Sequence, residues 1–212
     1  MAESLSATAA RKRRRSIADI ESLDRAALRA SGLFDASAAA AARTIAAAER
    51  DGCQSHGLFR LAGYCNALRS GKAAATARPV VHESAASAVR VDGQRGLAPF
   101  ALEVGLPELA ARAKKQGVAV LSLTNVHHFS ALWHEVEWLA DRGLIAMACL
   151  NTKSFVTHHG SRDGGPDALV YGTNPMAFGY PRGAGELPLL LLVLHAAPSA
   201  HSPASGRCPR HP

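Results

Sequence analysis

The stretch VAVLSLTNVHHFSALWHEVEWLADRGLIAMACLN, residues 118–151, switches between two kinds of hydrophobic pattern. Residues 118–125 and 144–151 are short apolar runs, which predict two buried strands. Between them, residues 130–143 carry apolar side chains at helical spacing and end in Gly143, which predicts an amphipathic helix. The strand–helix–strand order indicates an α/β or mixed α+β fold. Neither run is followed by a G-x-G-x-x-G pattern, so the stretch does not predict a Rossmann dinucleotide site.

Further elements are predicted on the N-terminal side of this stretch. Residues 17–31 have an apolar helical face, and a second helix is expected to follow Asp35, as its N-cap, and to run to Gly52. The alanine-rich composition of the second helix strongly favours helix formation. Residues 77–93 predict extended segments, and residues 100–116 predict another helix. The fold is therefore expected to have N-terminal helices ahead of its sheet.

The positive charge of the chain is concentrated in one place. The 212 residues carry a net charge of +7, and five basic residues form the RKRRR run at 11–15. Without that run the net charge is +2, so the body of the protein is nearly neutral. Such a run can contact nucleic acid or an anionic surface, but it is also typical of a solvated terminus. We expect residues 1–16 to form a disordered basic tail with no nucleic-acid partner.

Three features of the sequence bear on cellular location. The basic run is not followed by an apolar segment, so no secretory signal is predicted. The apolar run LPLLLLVL at 187–194 is much shorter than the roughly 20 residues of a membrane span. The four cysteines have no C-x-x-C spacing, which favours free thiols over a disulfide scaffold or a zinc site. A cytoplasmic protein without a membrane partner is therefore expected.

The stretch QSHGLFRLAGY, residues 54–64, combines residue types that suit a small acidic substrate. On a helix, His56 and Arg60 would share one face. An imidazole transfers protons near neutral pH, and a guanidinium holds a carboxylate with two parallel hydrogen bonds. The pair therefore suggests a site for a carboxylic acid that undergoes proton transfer. In the structural alternative, Ser55 caps a polar helix and Arg60 lies in solvent. Tyr64 could line the pocket, although packing is its expected role.

A cluster of histidines raises the question of a metal site. Its members lie in HHFSALWHE and THH: His127, His128, His134, His158 and His159. Zinc needs three or four converging ligands, whereas the adjacent His127 and His128 point in different directions. The H-E-x-x-H pattern does not occur either, so no metal site is predicted. The two tryptophans of this segment are expected to pack in the core.

Three stretches carry a resemblance to a known family: DGCQSHGLFRLAGYCNALRSGK (51–72), LTNVHHFSALW (123–133) and YGTNPMAFGYPR (171–182). Their D-G-x-x-S-H-G-x-x-R-L-x-x-Y, N-x-x-H-F and G-T-N-P blocks occur in the order found in the malate/L-lactate dehydrogenase family of NAD(P)-dependent oxidoreductases. The resemblance covers residues 17–182. Within the family, HHFSALWHEVEWLADRGL and GTNPMAFGYPR are most similar to the branch that reduces the cyclic imino acids delta-1-piperideine-2-carboxylate and delta-1-pyrroline-2-carboxylate.

The resemblance implies a role for each matching site residue. It implies that His56 donates a proton and that Ser55 supports His56 in a relay. It further implies that Arg60 holds the substrate carboxylate and that Thr173 contacts the substrate. Cofactor contacts are implied for five consecutive residues: His128, Phe129, Ser130, Ala131 and Leu132.

The resemblance also implies a fold and a reaction. The fold would be a non-Rossmann NAD(P)-binding fold, a mostly antiparallel sheet with flanking helices, in a homodimer. With NADPH or NADH bound, a cyclic imino acid would accept hydride at carbon, while His56 protonates the nitrogen and Arg60 orients the carboxylate. The alternatives are a 2-keto or 2-hydroxy acid substrate of malate or L-lactate type, or a non-catalytic fragment.

The C-terminal part of the chain departs from the family pattern. Family members have a glycine pair upstream of G-T-N-P, and here Ser161 stands in place of the second glycine. The family's relay aspartate and the rest of its cofactor site are not recognisable in residues 183–212, which contain a leucine run and five prolines. We therefore expect 183–212 to be a low-complexity tail without an ordered, packed element. The chain is accordingly expected to be a truncated or frame-shifted member, inactive on its own.

Overall fold

The computed structural model of the chain describes residues 14–152, 156–157, 169–183 and 189–193. Within these ranges the chain forms five α-helices: α1 (Ile17–Ala30), α2 (Asp35–Arg50), α3 (Leu61–Arg69), α4 (Ala98–Gln116) and α5 (Trp133–Ala140). The same ranges contain eight strands: β1 (Val80–Ala85), β2 (Ala88–Asp92), β3 (Val120–Thr124), β4 (Ala146–Cys149), β5 (Val156–Thr157), β6 (Leu169–Tyr171), β7 (Met176–Tyr180) and β8 (Leu189–Val193).

The described strands form three small sheets. β1 and β2 pair as an antiparallel hairpin, and β3 adds to β2 in parallel. A second sheet has the antiparallel order β4–β7–β8, and β5 pairs with β6. Only one of the five pairings between these strands is parallel, so the mixed α+β fold with mostly antiparallel strands is confirmed.

The first helix begins with a reciprocal hydrogen-bonded cap. The Ser16 hydroxyl accepts the backbone N–H of Asp19 at 3.0 Å, and the Asp19 carboxylate accepts the backbone N–H of Ser16 at 3.2 Å. This capping box satisfies two backbone donors that the first turn leaves open. Gly32, with φ of 97°, follows the helix end and confirms the predicted stop. Ser16 thus belongs to the folded part, whereas most of the predicted basic tail lies outside the described residues.

The second helix starts one residue away from its predicted cap. Phe34, and not Asp35, is the N-cap, and it makes no side-chain capping bond. Asp35 is the first helical residue, and its carboxylate accepts hydrogen bonds from Arg25 of α1. The prediction of Asp35 as N-cap is therefore wrong, because the carboxylate joins two helices instead of capping one.

The alanine run gives α2 its position in the core. Buried alanines from 38 to 48 let α1 and α4 approach the α2 backbone closely, because methyl groups occupy little volume. The core between α1, α2 and α3 also contains larger side chains, among them Leu28, Leu33, Ile45, Tyr64, Leu68 and Leu97. This packing holds the C-terminal end of α2 next to the segment that follows it, residues 51–60.

The two strands predicted from 118–125 and 144–151 form, but neither is fully buried. β3 is an edge strand, and Val120 is 59% exposed; on β4, Met147 is 69% exposed. The two strands also belong to different sheets, so they do not form one strand–helix–strand layer. The prediction of buried strands is wrong because the helices α4 and α5 each cover only one face of the sheet against which they pack.

The tail expectation is wrong for residues 189–193. β8 pairs with β7 in antiparallel register along its whole length, from Leu189 opposite Tyr180 to Val193 opposite Met176. The physical reason is that all five prolines of the tail lie outside residues 189–193, so the backbone of this segment can pair without interruption. The rest of 184–212 lies outside the described residues.

Candidate functional site

The 54–60 segment folds as two single turns and not as one helix. Residues Gln54–His56 and Leu58–Arg60 each form a 3-10 turn, and α3 starts only at Leu61. Gly57 separates the turns with a non-helical backbone, φ −85° and ψ −142°. The prediction that His56 and Arg60 share one face of a helix is therefore wrong. They are brought together by a bend.

A carboxylate from α2 holds this bend. Glu49 Oε1 accepts the backbone N–H of Leu58 at 2.7 Å. A Cβ on Gly57 would overlap with that carboxylate and would lie 2.6 Å from its Cδ, so only glycine fits here without displacing Glu49. Glu49 thus supplies, from another helix, a cap for the second turn. The end of α2 sets the direction in which the chain leaves His56.

His56 is half-buried and contacts two neighbouring groups. Its Nδ1 lies 3.0 Å from the Ser55 hydroxyl, and its ring packs edge-on against Trp133 with centroids 6.1 Å apart. Burial lowers the pKa of His56, and the positive charge of Arg60 lowers it further. The second ring nitrogen, Nε2, is then the atom available to a substrate. The Ser55 and His56 side chains are thus in contact, and their relay role stays a prediction.

Arg60 is oriented by its own main chain. Its Nε donates to the backbone carbonyl of Ser55 at 2.7 Å. Within the described residues, no hydrogen bond or ion pair engages the two terminal Nη groups. Those two nitrogens form the end of the guanidinium fork, which matches the two oxygens of a carboxylate. The structure therefore shows a fixed arginine with its fork open.

A second imidazole joins the cluster from the loop before α5. His128 Nδ1 accepts the backbone N–H of Ser130 at 3.1 Å and lies 2.9 Å from the Tyr64 hydroxyl. Since Nδ1 is already an acceptor, the Tyr64 hydroxyl donates to it and the ring proton lies on Nε2. Burial, followed by the charges of Arg60, His56 and His127, lowers the pKa of His128 to about 4. At neutral pH this ring is uncharged.

The predicted cofactor segment divides between the cluster and the core. His128 and Ser130 have positive φ angles of 52° and 75°, which turn the backbone sharply between the end of β3 and the start of α5. Phe129 and Leu132 pack into the core between α4 and α5, and Ala131 packs against Trp133. The turn also explains why α5 begins at Trp133, three residues later than predicted.

In the described part of the chain, no hydrogen bond joins Thr173 to this cluster. Thr173 is half-buried between β6 and β7, and its side chain makes no hydrogen bond to any described residue. Next to it, Asn174 accepts the backbone N–H of Thr152 at 3.0 Å. The structure therefore assembles Ser55, His56, Arg60 and His128, and no hydrogen bond among the described residues links Thr173 to them.

Tyr64 and Trp133, which the sequence analysis expected to be packing residues, lie next to this cluster. Both are buried, as predicted, but Tyr64 also donates to His128, and Trp133 donates from Nε1 to the Asp51 carboxylate at 3.2 Å. The only local signal is the position of Tyr64, four residues after Arg60. The contact partners lie far away along the chain, so periodicity does not indicate them.

Other predictions on the site concern metals, membranes and thiols. Within the described ranges, His, Cys, Asp and Glu side chains form no group of three or more that could hold a metal ion. None of the described helices is both long and apolar enough to cross a bilayer. Cys65 and Cys149 are free, as expected, but Cys53 is disulfide-bonded, so the free-thiol prediction is wrong for it.

Comparison with known proteins places these features in a family. The family model described as malate/L-lactate dehydrogenase matches residues 16–201. The chain belongs to this family. The matched range extends beyond residue 182, where the sequence resemblance had been expected to end.

Members of the family with reductase names are similar over most of the chain. A Delta(1)-pyrroline-2-carboxylate/Delta(1)-piperideine-2-carboxylate reductase of Pseudomonas aeruginosa is 41% identical over 74% of this chain and 46% of its own length. A Delta(1)-pyrroline-2-carboxylate reductase of Ancylobacter novellus is 42% identical over 82% of this chain and 49% of its own length. The chain thus spans about half the length of these relatives.

The fold is similar to that of a solved malate dehydrogenase. A malate dehydrogenase from Entamoeba histolytica superposes with a TM-score of 0.76 at 24% identity, over 86% of this chain and 49% of that chain. At this identity the likeness concerns the fold alone. It supports the mixed α/β fold that the sequence predicted.

Proposed function

We propose that this chain carries the substrate-holding part of an oxidoreductase site that reduces the C=N bond of cyclic imino acids with a nicotinamide cofactor. The substrates would be delta-1-pyrroline-2-carboxylate and delta-1-piperideine-2-carboxylate. The observation that carries the proposal is Arg60, fixed through Nε to the Ser55 carbonyl at 2.7 Å, with its fork open beside two imidazoles. The names of the relatives support the same substrate class.

The proposed binding mode starts from the substrate carboxylate. Two parallel hydrogen bonds from the Arg60 fork would fix the carboxylate and hence the plane of the imine ring. His56, with Nδ1 against Ser55, would then present Nε2 to the imine nitrogen as proton donor. This arrangement would accelerate the reaction by orientation, because the reacting groups are already held next to each other.

Binding would also change the charge of the imidazoles. In the free protein the Arg60 charge contributes to the lowered pKa values of His56 and His128. A bound carboxylate opposes that charge, so it raises both pKa values. His56 is thereby protonated more readily when substrate is present. Without substrate, the uncompensated charge of Arg60 would limit protonation of both imidazoles.

The cofactor would lie against residues 128–132. The fit rests on Ser130, whose buried Oγ has no hydrogen bond of normal geometry among the described residues, although it lies near the Tyr64 hydroxyl. A ribose or amide group could satisfy that oxygen. When bound, the nicotinamide supplies hydride to the C=N carbon. His128, Phe129, Ser130, Ala131 and Leu132 would position it; both NADPH and NADH are compatible with this chemistry. We further propose that Thr173 contacts substrate and that the protein is a cytoplasmic homodimer.

The proposal is tested first by binding, which does not require turnover. Pyrrole-2-carboxylate is a planar, non-reducible cyclic carboxylate, and its affinity for the chain can be measured by calorimetry. Arg60→Lys should weaken binding at least tenfold, because lysine cannot reproduce the fork. Arg69→Lys, an exposed position on α3, is the matched control. Equal affinity for both variants would contradict the role of Arg60.

Turnover is the second test. NADPH and NADH oxidation would be followed with the two cyclic imines, pyruvate and oxaloacetate. Imine reduction that exceeds keto-acid reduction supports the proposal. Faster turnover of a keto acid would favour the malate or L-lactate type, and binding without any turnover would favour a non-catalytic role. In an active protein, His56→Ala should lower kcat by about 10²–10⁴-fold.

A further inference from the structure

We propose that Trp133 is a positioning residue for His56, and that Asp51 fixes Trp133 in turn. The proposal deepens the proposed function and rests on the assigned role of His56 for its catalytic meaning. Neither Trp133 nor Asp51 touches the reacting atoms in this scheme. Their role is to hold one face of the imidazole in place.

Trp133 is held by its position at the start of α5 and by a hydrogen bond from its indole nitrogen. It is the first residue of α5 and is 6% exposed. Its indole Nε1 donates to Asp51 Oδ2 at 3.2 Å, and Asp51 itself follows the last residue of α2. The other carboxylate oxygen accepts from Arg50 Nε at 2.8 Å. The indole plane is therefore fixed by a charge-assisted hydrogen bond and by burial.

The fixed indole meets His56 in an edge-to-face contact. The ring centroids lie 6.1 Å apart with an angle of 86° between the planes, which is a favoured aromatic geometry. Ala48 and Ala131 pack on the same indole, so it has little space in which to move. With Trp133 on one side and the Ser55 hydroxyl at Nδ1, rotation of the imidazole about its χ angles is restricted.

Two titratable or charged groups interact with His56 directly: Arg60, on its own segment, and His128, from the loop before α5. Asp51, at the end of α2, contacts the indole of Trp133. Burial is the main cause of the lowered His56 pKa. The indole covers the imidazole, so its removal should let water reach the ring. The pKa should then rise towards its ordinary value near 6.5.

The same helix offers a matched control. Trp138 lies on α5 as well, and its ring stacks on Arg142 at 3.5 Å instead of on a histidine. Replacement of Trp138 removes an indole from α5 without uncovering His56. If α5 packing alone mattered, the two tryptophans would have similar effects on His56.

The first experiment is an NMR titration of the histidine side chains in the chain without substrate, with His56→Gln used to assign the His56 signal. Trp133→Leu should raise the His56 pKa, Trp138→Leu should leave it unchanged, and Asp51→Asn, which keeps an acceptor for Nε1, should change it less than Asp51→Ala. A folded Trp133→Leu variant with an unchanged His56 pKa would overturn the proposal.

The second experiment needs no change at Trp133. In Trp138→Phe, Trp133 is the sole indole, and a protonated imidazole quenches indole fluorescence on contact. The emission should fall on acidification with the midpoint of the His56 NMR titration, and His56→Gln in the same background should abolish that step. A fluorescence step that survives His56→Gln, or the absence of a step, contradicts the proposal. Because no ligand is added, these outcomes are independent of whether pyrrole-2-carboxylate binds.

Discussion

Two glycines flank candidate substrate contacts, and their surroundings differ. Gly57 follows His56, and a Cβ there would meet the end of the Glu49 side chain, 2.6 Å from Cδ. Gly172 precedes Thr173, and a Cβ there would meet Thr152, 2.6 Å from the backbone carbonyl oxygen. A carboxylate can rotate away, whereas a backbone carbonyl cannot. The His56 region is therefore shaped by an adjustable side chain, and the Thr173 region by rigid main chain.

This difference indicates how each region tolerates change. Around His56, substitutions should shift side chains and have a smaller effect on the free energy of unfolding. Around Thr173, the same substitutions should cost stability first. Glu49 also interacts with a second acidic group: Asp24 of α1 is fully buried, and its pKa is raised to about 7 by burial and, to a lesser degree, by the charge of Glu49.

The largest expected effect comes from Asp24→Asn. The carboxyl has a folded-state pKa of about 7 against an ordinary 3.8, so its ionisation costs stability as pH rises from 4 to 7. Above pH 7 that cost is on the order of 4 kcal/mol at most. The stability gained by the variant, relative to wild type, should therefore increase between pH 4 and 7 and then level off in urea titrations.

Asp19→Asn is the control for Asp24, because Asp19 is an exposed carboxylate on the same helix with a lowered pKa. Its stability difference from wild type should change with pH in the opposite sense. A pH-independent difference for Asp24→Asn would show that Asp24 does not ionise near neutrality in the folded protein.

Gly172→Ala should lower the free energy of unfolding by about 3 kcal/mol, because the added methyl group must displace a backbone segment. Thr152→Ala in the same chain should restore only part of the loss, since the carbonyl oxygen at 2.6 Å is still present. Thermal or urea unfolding measures both values. Complete rescue by Thr152→Ala would show that the region around Thr173 is as adjustable as the region around His56.

Gly57→Ala should have a smaller effect, about 1 kcal/mol, because Glu49 can move at the expense of its hydrogen bond to Leu58. The double variant with Glu49→Ala should cost less than the sum of the single variants, which a double-mutant cycle detects. Glu49→Gln, which keeps an acceptor, is the milder control. Strict additivity would mean that Glu49 does not occupy the space beside Gly57.

Thr173→Val should have the smallest effect on stability, within about 0.5 kcal/mol, since the hydroxyl makes no hydrogen bond to any described residue. Its effect on pyrrole-2-carboxylate affinity tests the proposed substrate contact. Weaker binding supports that contact. Unchanged binding together with unchanged stability would leave Thr173 outside the site.

The local part of the fold could be predicted from the sequence. α1, α2 and α4 follow from helical spacing and from glycines with positive φ at their ends, which are properties of neighbouring residues. The burial of β3 and β4 could not be predicted in the same way. It depends on which strand pairs with which and on which face a helix covers, and those partners lie far away along the chain.

In the candidate site, too, the features set by neighbouring residues could be predicted, and the contacts between distant residues could not. Ser55, His56 and Arg60 are adjacent in sequence, so their chemistry was visible, although the bend at Gly57 was not. The contacts that surround them join residues 64 positions apart, for Tyr64 and His128, and 82 positions apart, for Asp51 and Trp133. A residue type alone does not show whether a buried aromatic ring also donates a hydrogen bond.

The alanine packing of α2 fixes the middle of this helix, so the position of its C-terminal end depends on how closely that middle packs. Ala42 is fully buried in the middle of the helix, and Glu49 is seven residues, or about 10 Å, further along the axis. A larger side chain at Ala42 would press α2 away from its neighbours and tilt its far end. Glu49 and Asp51 would move with that end. The orientation of the His56 ring therefore depends on alanine methyl groups in the middle of α2.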